Sequence, residues 1–589
     1  MDEKQAITPP PVDDEKQAVP SPTVDDKQAV SVAAGESPIP PQHRRLRDPD
    51  VSFEEYYYYA TQTRAEEDTL EPPKVGKNWL AYLVPNLQKQ EDSGPEAQGP
   101  EININDREKR LHITDDEWVN ASRAARNASA GAVFYLITTD ILGPFSLPYA
   151  FATTGWGPGV ALFTVFGAMA GYSGYLLWDS FMGLDSYQFP TRAFGDIGYR
   201  LYGPWFRHLV NLLQAIQLVC NVGAIIISNG EALSEAAKFK LCYAVCCLVW
   251  ALAGFFFGQI RTLQKFGWLA NLAVYINLLV IFITMGAAAH SPPLYAGSAS
   301  SAGYSINPDL VTPNAEGVYP PVQHSGGLPD PGNFGSAVNG LMQAVYSYGG
   351  SMVFIEFMSE MRRPRDFLKG MWGAQLFIYI CYMLYGLYMY GYQGQYVQTP
   401  SYLGISNYNL QTAGNSLAMV SALISATLYG NIGLKYLFKA PPLSQKSGKL
   451  FWIALIPIYW SIAFVIAAAI PDFAGFTSIV SATCILQFSY TFPPLMHIGY
   501  NIKKYALQPG EGFDPATGQV TLFDSGWKRV YRGYFSKRWY VNVFNTIFFL
   551  GALATAGIGI WAAVEGLIAV YAIPELNAFG CTSPLDVSG

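Results

Sequence analysis

Two short stretches of the sequence combine residues that interrupt a helix with residues that can bind a polar ligand. Residues 141–148 read Ile-Leu-Gly-Pro-Phe-Ser-Leu-Pro, and residues 346–351 read Tyr-Ser-Tyr-Gly-Gly-Ser. Proline removes a backbone donor and strains a helix, and glycine lowers the cost of unwinding it. The free N–H groups of an unwound helix attract a carboxylate, and its free carbonyl groups accept hydrogen bonds from an ammonium group. A zwitterionic ligand such as an amino acid matches both kinds of group.

The predicted substrate-binding residues come from these two interruptions and from one polar stripe elsewhere in the chain. They are Gly143, Phe145, Ser146, Tyr346, Ser347, Tyr348, Gly349 and Asn221. The N–H groups of Phe145 and Ser146 would face a carboxylate, because Pro144 has no N–H to offer. Backbone carbonyl groups around Ser347 would accept hydrogen bonds from an ammonium group. The stripe that contains Asn221 either lines the pocket or joins neighbouring helices.

Two carboxylates and two hydroxyls near the interruptions are candidates for ion coupling. Asp140 precedes the first interruption, and Glu356 follows the second. A carboxylate at a helix centre costs roughly 2.5–3.5 kcal/mol in membrane insertion, so each should carry a proton or have a partner. The partner would be broken backbone for Asp140 and a nearby arginine for Glu356. Glu231 lies close enough to the end of its span to be solvated. Ser425 and Thr427 could bind sodium with opened carbonyl groups, although small polar residues equally mediate helix packing.

The composition is that of a membrane protein. The 589 residues are 50% hydrophobic and only 14% charged, against about 25% charged residues in soluble domains. A net charge of -7 gives no general attraction to nucleic acid. Crossing ~30 Å of hydrocarbon takes about 20 apolar residues. Eleven stretches are candidate spans: Ser129–Thr153, Val160–Leu184, Phe206–Asn229, Leu241–Phe257, Phe266–Ala289, Ala337–Met358, Phe367–Tyr392, Ser416–Phe438, Leu450–Ile470, Phe476–Ile498 and Val541–Ala572.

The placement of lysine and arginine predicts the orientation of these spans. Basic residues concentrate at alternate junctions, for example at 362–369 and 503–538, whereas the loops at 290–335 and 393–413 contain none. Cytoplasmic loops carry the excess of positive charge. The sequence therefore predicts a cytoplasmic N-terminus and an external C-terminus.

The two interruptions lie in the first and the sixth span, five spans apart. Because five is odd, the corresponding helices of two five-helix halves cross the membrane in opposite directions, as in an inverted-repeat transporter. The predicted fold is an all-α integral membrane protein with a 5+5 inverted repeat and an eleventh helix. Its predicted segments are a disordered cytoplasmic tail (1–126), a ten-helix core (127–505) of repeats 127–289 and 336–505, a cytoplasmic connection (506–540), the eleventh helix (541–573) and a short external tail (574–589).

The reactive side chains form no catalytic or metal-binding pattern. The seven cysteines include no CxxC pair, and the six histidines include no HExxH. We therefore expect no metal, no cofactor and no enzymatic activity. We also expect no disulfide framework, with the cysteines of apolar runs acting as small apolar side chains.

Three segments resemble those of a known transporter family. Gly-Pro-Phe-Ser-Leu-Pro-Tyr-Ala-Phe at 143–151, followed by Gly155-Trp156, resembles the first-helix signature of the amino acid/auxin permease family. Glu-Met-Arg-Arg-Pro-Arg-Asp-Phe at 360–367 resembles the segment that follows the sixth helix of that family. Together with residues 344–350, these motifs make the chain similar to the fungal neutral amino-acid permeases. The resemblance covers about residues 120–575 and departs at Ile141, where family members often have glycine.

The resemblance implies a LeuT-type fold and the import of neutral amino acids by secondary active transport, with a proton favoured over sodium as the coupling ion. A sodium-coupled transporter and a non-transporting amino-acid sensor or receptor stay open as alternatives. The expected partners are an amino-acid substrate, a proton and the lipid bilayer, with no nucleic acid. The N-terminal tail is a candidate for binding regulatory partners. The plasma membrane is favoured over the vacuolar membrane.

Overall fold

The chain folds almost entirely into helices. The computed structural model describes residues 49, 51–69, 123, 126, 128–259, 263–295, 297, 310–438, 446–470, 472–571 and 578–586. The helices are α1 (Phe53–Thr69), α2 (Ala130–Ile141), α3 (Leu147–Thr154), α4 (Trp156–Leu184), α5 (Phe194–Tyr202), α6 (Pro204–Ala236), α7 (Tyr243–Phe257), α8 (Leu263–His290), α9 (Phe334–Ser347), α10 (Phe354–Glu360), α11 (Phe367–Gln393), α12 (Tyr408–Phe438), α13 (Lys446–Ala469), α14 (Phe473–Val480), α15 (Phe492–Tyr505), α16 (Trp527–Tyr534) and α17 (Trp539–Tyr571).

Shorter elements connect these helices. Single 3-10 turns lie at Pro144–Ser146, Ser351–Val353, Pro364–Asp366, Gly394–Tyr396 and Ser401–Gly404. Two π-helical turns, Ser481–Ile485 and Gln487–Thr491, join α14 to α15. Strands β1 (Gly512–Asp514) and β2 (Gln519–Thr521) form an antiparallel hairpin in which Phe513 lies opposite Val520. This hairpin and α16 occupy the predicted connection before the eleventh span.

Among the described residues, eight helical segments are long and apolar enough to cross a membrane. They are α4, α6, α8, α11, α12, α13, the continuous α14–α15 segment and α17. The other three predicted spans correspond to two interrupted helices, α2 with α3 and α9 with α10, and to the 15-residue helix α7. The prediction of an all-α membrane protein is confirmed, and all eleven predicted spans fall on helical segments.

A chain of polar side chains joins α17 to the rest of the bundle. Asn542 donates to the carbonyl oxygen of Tyr534 at 2.9 Å, so its own side-chain oxygen accepts from Asn501, also at 2.9 Å. The same Asn501 amide lies 3.2 Å from Nδ1 of His497. With Nδ1 as acceptor, the Nε2–H group of His497 donates to the Asp179 carboxylate at 3.0 Å. The hydrogen bonds therefore select one histidine tautomer and fix the position of the last helix.

The prediction of disorder for the whole of residues 1–126 is wrong for residues 53–69. These residues form α1, whose Phe53, Tyr56 and Ala60 are buried. The Tyr56 ring meets the ring of Phe189 with centroids 5.0 Å apart, and the Phe53 ring meets that of Tyr500 at 6.2 Å. Apolar residues at helical spacing therefore dock this segment against the bundle, although the tail as a whole is polar. Apart from residues 49, 51–69, 123 and 126, the tail lies outside the described residues.

A buried ion-pair network anchors α1 at the end of α4. Arg64 of α1 lies 2.8 Å from the Asp185 carboxylate, and Arg126 binds the same carboxylate through two nitrogens at 2.8 and 2.9 Å. The backbone N–H of Thr191 also donates to Asp185, at 2.9 Å. Burial opposes ionisation of this carboxyl, but the two guanidinium groups hold the pKa of Asp185 below its usual value. Asp185 therefore unites three segments that are far apart in the sequence.

The expectation of no disulfide is wrong for one pair of cysteines. Cys242, just before α7, forms a disulfide with Cys581 in the C-terminal tail. The backbone N–H of Tyr243 donates to the carbonyl oxygen of Cys581 at 3.0 Å, so the tail packs beside the start of α7. The two cysteines are 339 residues apart, and only the folded bundle brings them together. Cys220, Cys246, Cys247, Cys381 and Cys484 are free thiols.

Replacing Asp185 by asparagine should detach α1 and destabilise the protein. The amide would remove the carboxylate that both buried guanidinium groups share and leave Glu67 as their neighbouring carboxyl group. Breaking a buried ion pair costs about 3–5 kcal/mol. We expect a lower unfolding temperature in detergent and new protease cleavage within residues 53–69. Glu66→Gln is the matched control, because Glu66 pairs with Arg123 at the surface, where a salt bridge contributes about 0–1 kcal/mol. Equal unfolding temperatures for the two variants would contradict the role of Asp185.

The docking of α1 should weaken as the pH rises through neutrality. Burial raises the pKa of Glu67 from 4.5 to about 7, although Arg64 lies 2.6 Å away. Because the folded state then binds more protons at Glu67 than the unfolded state, the contribution of Glu67 to docking is full below about pH 4.5 and is lost as the pH rises through about 7. Hydrogen exchange of residues 53–69, corrected for intrinsic rates, should be faster at about pH 8 than at about pH 6. Glu67→Gln should remove this difference; if the difference persists, another group is responsible.

Candidate ligand-binding site

A cavity of about 170 Å³ lies where the two interrupted helices meet. A cavity of about 150 Å³ can hold a benzene molecule, so this one has room for a small organic ligand. Predicted site residues that line it are Asp140, Gly143, Phe145, Ser146, Asn221, Tyr346, Ser347, Gly349 and Ser425. Side chains of α6, α8, α12 and the 3-10 turn Ser401–Gly404 complete the wall. The structure thus brings together residues from both predicted interruptions.

The first predicted interruption is confirmed. Helix α2 ends at Ile141, the chain turns through Leu142 and Gly143, and a 3-10 turn begins at Pro144. In a continuous helix the residue at 144 would donate to the carbonyl oxygen of Asp140, but proline has no N–H. The interruption therefore forms although Ile141 stands where the resembling family often has glycine.

Side chains of two other helices supply donors to the freed carbonyl groups. The hydroxyl of Tyr429, on α12, donates to the carbonyl oxygen of Asp140 at 3.2 Å. The side-chain amide of Asn277, on α8, donates to the carbonyl oxygen of Leu142 at 3.0 Å. A buried carbonyl without a donor costs about 1–3 kcal/mol, so these two side chains stabilise the interrupted backbone.

The hydroxyl of Tyr382, on α11, connects the two interruptions. It lies within hydrogen-bond distance of the carbonyl oxygen of Ile141 and 2.8 Å from that of Ser347. The backbone N–H of Gly143 points to the same hydroxyl at 3.4 Å. The hydroxyl has one proton to donate, so it donates to one carbonyl group at a time and accepts from Gly143. Tyr382 is fully buried and bonds backbone groups that are more than 200 residues apart.

The second predicted interruption is also confirmed, and it is a tight turn. Helix α9 ends at Ser347, and a 3-10 turn begins at Ser351. The N–H of Gly349 donates to the carbonyl oxygen of Tyr346 at 3.2 Å, and the N–H of Gly350 donates to that of Tyr348 at 3.0 Å. The backbone groups of this interruption are therefore largely satisfied within the turn itself.

Close contact between the two interruptions requires glycine at position 350. A Cβ atom there would lie 2.5 Å from Cγ1 of Ile141 and 2.7 Å from a carboxylate oxygen of Asp140. The φ angle of Gly350 is −98°, so space, and not backbone conformation, demands glycine. Gly143, by contrast, has no atom within 4 Å of its Cβ position, because it faces the cavity.

Three predicted site residues do not line the cavity. The Tyr348 side chain is fully buried, and its ring lies 5.4 Å from that of Tyr382. Glu356 accepts a hydrogen bond from Gln214 at 3.2 Å. The Thr427 hydroxyl donates to a backbone carbonyl group of its own helix at 2.7 Å. Packing, which the sequence analysis left open for Thr427, describes the surroundings of that side chain.

The cavity wall combines apolar and polar groups and carries little charge. Asp140 is the charged residue among those that line it, and no lysine, arginine or histidine does so in the described part of the chain. The side-chain oxygen of Asn221 is buried and lacks a hydrogen-bond partner among the described residues. An unsatisfied acceptor at a cavity wall is suited to a donor on a ligand.

Sequence reasoning missed several residues of this site. Asn277, Tyr402 and Tyr429 line the cavity, and Tyr382 joins its two sides. The chain contains 38 tyrosines, so no local signal distinguishes these from tyrosines that only pack. Glu231, expected to be solvated near the end of its span, is 2% exposed.

The chain matches known transporter proteins over most of its length. A family model described as transmembrane amino acid transporter protein matches residues 126–509. The chain is 23% identical to the N amino acid transport system protein of Neurospora crassa over 449 residues, which are 74% of this chain and 84% of that protein. It is 23% identical to a transmembrane transporter of Gibberella moniliformis over 318 residues and 24% identical to one of Fusarium pseudograminearum over 315 residues. Each of these two alignments covers 52% of this chain and 61% of the relative.

These matches confirm the resemblance that the sequence motifs indicate. The family model covers more than half of the chain and includes both interruptions and every residue named at the cavity. The chain therefore belongs to the transmembrane amino acid transporter family.

Proposed function

We propose that this protein imports neutral amino acids by proton symport, through alternating access around the cavity between its two interrupted helices. Amino-acid transport follows from family membership. The observation that supports the rest is the cavity itself, whose wall contains backbone of both interruptions. Transporters bind their substrates near the midplane at such paired interruptions.

The wall offers separate surfaces for the two charged groups of an amino acid. Phe145 and Ser146 stand in the first turn of the helical segment that continues into α3. The first N–H groups of a helix have no acceptor within it and favour an anion, so they suit the carboxylate. The Asn221 oxygen and the Asp140 carboxylate suit the ammonium group. The carbonyl group of Ser347, shared with Tyr382, is a third acceptor for it.

A neutral side chain fits the remaining wall. The amino group and carboxylate of the ligand would use the polar groups, and the absence of a basic side chain among the described lining residues leaves a second carboxylate without a partner. The small volume also favours a compact ligand. These features support neutral amino acids over acidic ones.

The surroundings of the first interruption favour a proton over sodium. A sodium ion would need oxygen ligands, and opened carbonyl groups are the usual source in interrupted helices. Here the carbonyl groups of Asp140 and Leu142 already accept hydrogen bonds from Tyr429 and Asn277. Ser425 lines the cavity, but Thr427 does not. Of the two carboxylates that the sequence predicts as proton carriers, Asp140 lines the cavity and Glu356 lies outside it.

We further propose a LeuT-type arrangement with a cytoplasmic N-terminus and an external C-terminus, with repeats at 127–289 and 336–505. The two interrupted helices pack side by side, since a Cβ atom at Gly340 would lie 2.1 Å from the Thr153 hydroxyl. The alternation of basic loops supports the orientation. The Cys242–Cys581 disulfide also supports it, because disulfides persist outside the cytosol and both cysteines lie on the predicted external side. The plasma membrane is the proposed location.

The proposed function predicts accumulation of a neutral amino acid against its gradient. For the full-length protein in liposomes, each coupled proton and each pH unit of inward gradient should drive about tenfold accumulation of labelled alanine. Neutral amino acids should compete with alanine, and glutamate and lysine should not. Empty liposomes and liposomes with a sodium gradient alone are the controls.

Each other outcome of this assay corresponds to one alternative. Accumulation that requires sodium would replace the proton by sodium as the coupling ion. Binding of alanine without accumulation would identify a sensor. Competition by glutamate or lysine would overturn the assignment of neutral substrates.

Removing the Tyr382 hydroxyl should weaken substrate binding. Tyr382→Phe leaves the carbonyl groups of Ile141 and Ser347 and the N–H of Gly143 without their common partner, at a cost of about 1–3 kcal/mol. We expect the KM for uptake to rise by about tenfold. Tyr379→Phe is the matched control, because its hydroxyl meets Thr164 on the exposed side of the same helix. An unchanged KM in Tyr382→Phe would contradict the role of this hydroxyl at the binding site.

A further inference from the structure

The cavity-lining face of α6 continues into two buried carboxylates. Asn221, Ile225 and Ser228 line the cavity at spacings of three and four residues. The same spacing places Glu231 one turn beyond Ser228, and Glu235 one turn further. Glu231 is 2% exposed and Glu235 is 5% exposed. Two acidic side chains are thus buried between the cavity and the end of α6 that the sequence predicts to be external.

The two carboxylates differ in their hydrogen bonds. Both oxygens of Glu235 accept from side-chain amides, one from Gln411 at 2.7 Å and the other from Asn415 at 3.0 Å. The Oε2 atom of Glu231 is buried and has no hydrogen-bond partner in the part of the chain that the structure describes. The two amide hydrogen bonds therefore fix the Glu235 carboxylate in place. A proton can bind to Oε2 of Glu231 or leave it without breaking a hydrogen bond of that atom.

Among the described residues, no cationic side chain is paired with Glu231. The titratable groups that face it are Asp472 before α14, Tyr243 and Cys247 of α7, Tyr402 of the 3-10 turn Ser401–Gly404, and Glu235 of its own helix. None of them carries positive charge, and Asp472 adds a second carboxylate. A charged, unpaired carboxylate beside another one in a membrane interior is unfavourable. The arrangement described here therefore accommodates Glu231 better as the neutral, protonated acid than as the carboxylate.

Tyr402 connects Glu231 with the cavity. Its ring lines the cavity and meets that of Phe145, with centroids 5.1 Å apart. Its hydroxyl faces the side chains of Ser228 and Glu231 on α6. Phe473, the neighbour of Asp472, also lines the cavity. A substrate at Phe145 therefore touches the side chains that pack against the protonatable group.

We propose that Glu231 takes up the co-transported proton from the external solution and holds it next to the substrate cavity. The proposal rests on the proposed function. A proton from external water binds the Glu231 carboxylate in the outward-open form, and neutralisation lets the residue become buried as the cavity closes around the substrate. The carboxylic acid returns the same proton to water on the other side after reorientation.

Two transport modes of the reconstituted full-length protein separate this role from a structural one. Glu231→Gln mimics the neutral acid. Without a pH gradient, the variant should therefore still exchange the labelled neutral amino acid that the wild-type protein accumulates, at a rate within about twofold of wild type. Accumulation driven by a gradient of one pH unit should fall from about tenfold per proton to none. Uptake should also lose its dependence on external pH. Retained accumulation with wild-type pH dependence would overturn the proposal.

Glu235→Gln is the matched control, because it changes the same functional group one turn away. Its carboxylate already has two amide donors, so accumulation should persist. Loss of accumulation in Glu235→Gln but not in Glu231→Gln would overturn the assignment.

A second variant covers the case in which Glu231→Gln does not fold. Glu231→Asp keeps an acid in a shifted position, so it should shift the external pH midpoint of uptake; an unchanged midpoint would contradict the proposal. If the wild-type protein itself does not accumulate substrate with a pH gradient, the proposed function fails. That result differs from every outcome above, because those outcomes compare variants with a wild-type protein that accumulates substrate.

Discussion

Backbone polar groups that a helix no longer satisfies must find partners inside the membrane, where lipid offers none. At the first interruption Pro144 frees the carbonyl group of Asp140, and Tyr429 donates to it from another helix. At the point where the interruptions meet, the hydroxyl of Tyr382 bonds backbone groups of both. The cavity exists because these partners hold the backbone open instead of letting it close into continuous helix.

This requirement also determines which helices surround the cavity. The donors to the first interruption lie on α8, α11 and α12, so these helices must stand next to it in one register. Gly350 lets the second interruption approach until it touches Asp140 and Ile141. A movement of either interrupted helix would exchange these hydrogen bonds together. Such a coupled exchange is the kind of two-state element on which alternating access depends.

The sequence predicts the interruptions and the spans better than their partners. Proline, paired glycines and apolar length are local signals. Both interruptions form, and all eleven predicted spans fall on helical segments, of which eight are long and apolar enough to cross a membrane among the described residues. Tyr382 and Asn277 could not be predicted, because their role is set by contacts across more than 100 residues. The Cys242–Cys581 disulfide has the same cause. Helix α1 was missed for a different reason, since a short apolar stripe is hidden in a polar, repetitive tail.

Glu231 shows why distance from a span end is a poor measure of solvation. The residue lies near the end of α6, where sequence alone predicts contact with water. It is covered by the 3-10 turn that carries Tyr402, by Asp472 just before α14 and by the first residues of α7, where the disulfide attaches the C-terminal tail. A carboxylate at that depth becomes hidden only when these covering segments are in place. The packing of neighbouring turns and helix ends therefore decides whether an acidic residue near the end of a span is a solvated surface group or a buried one.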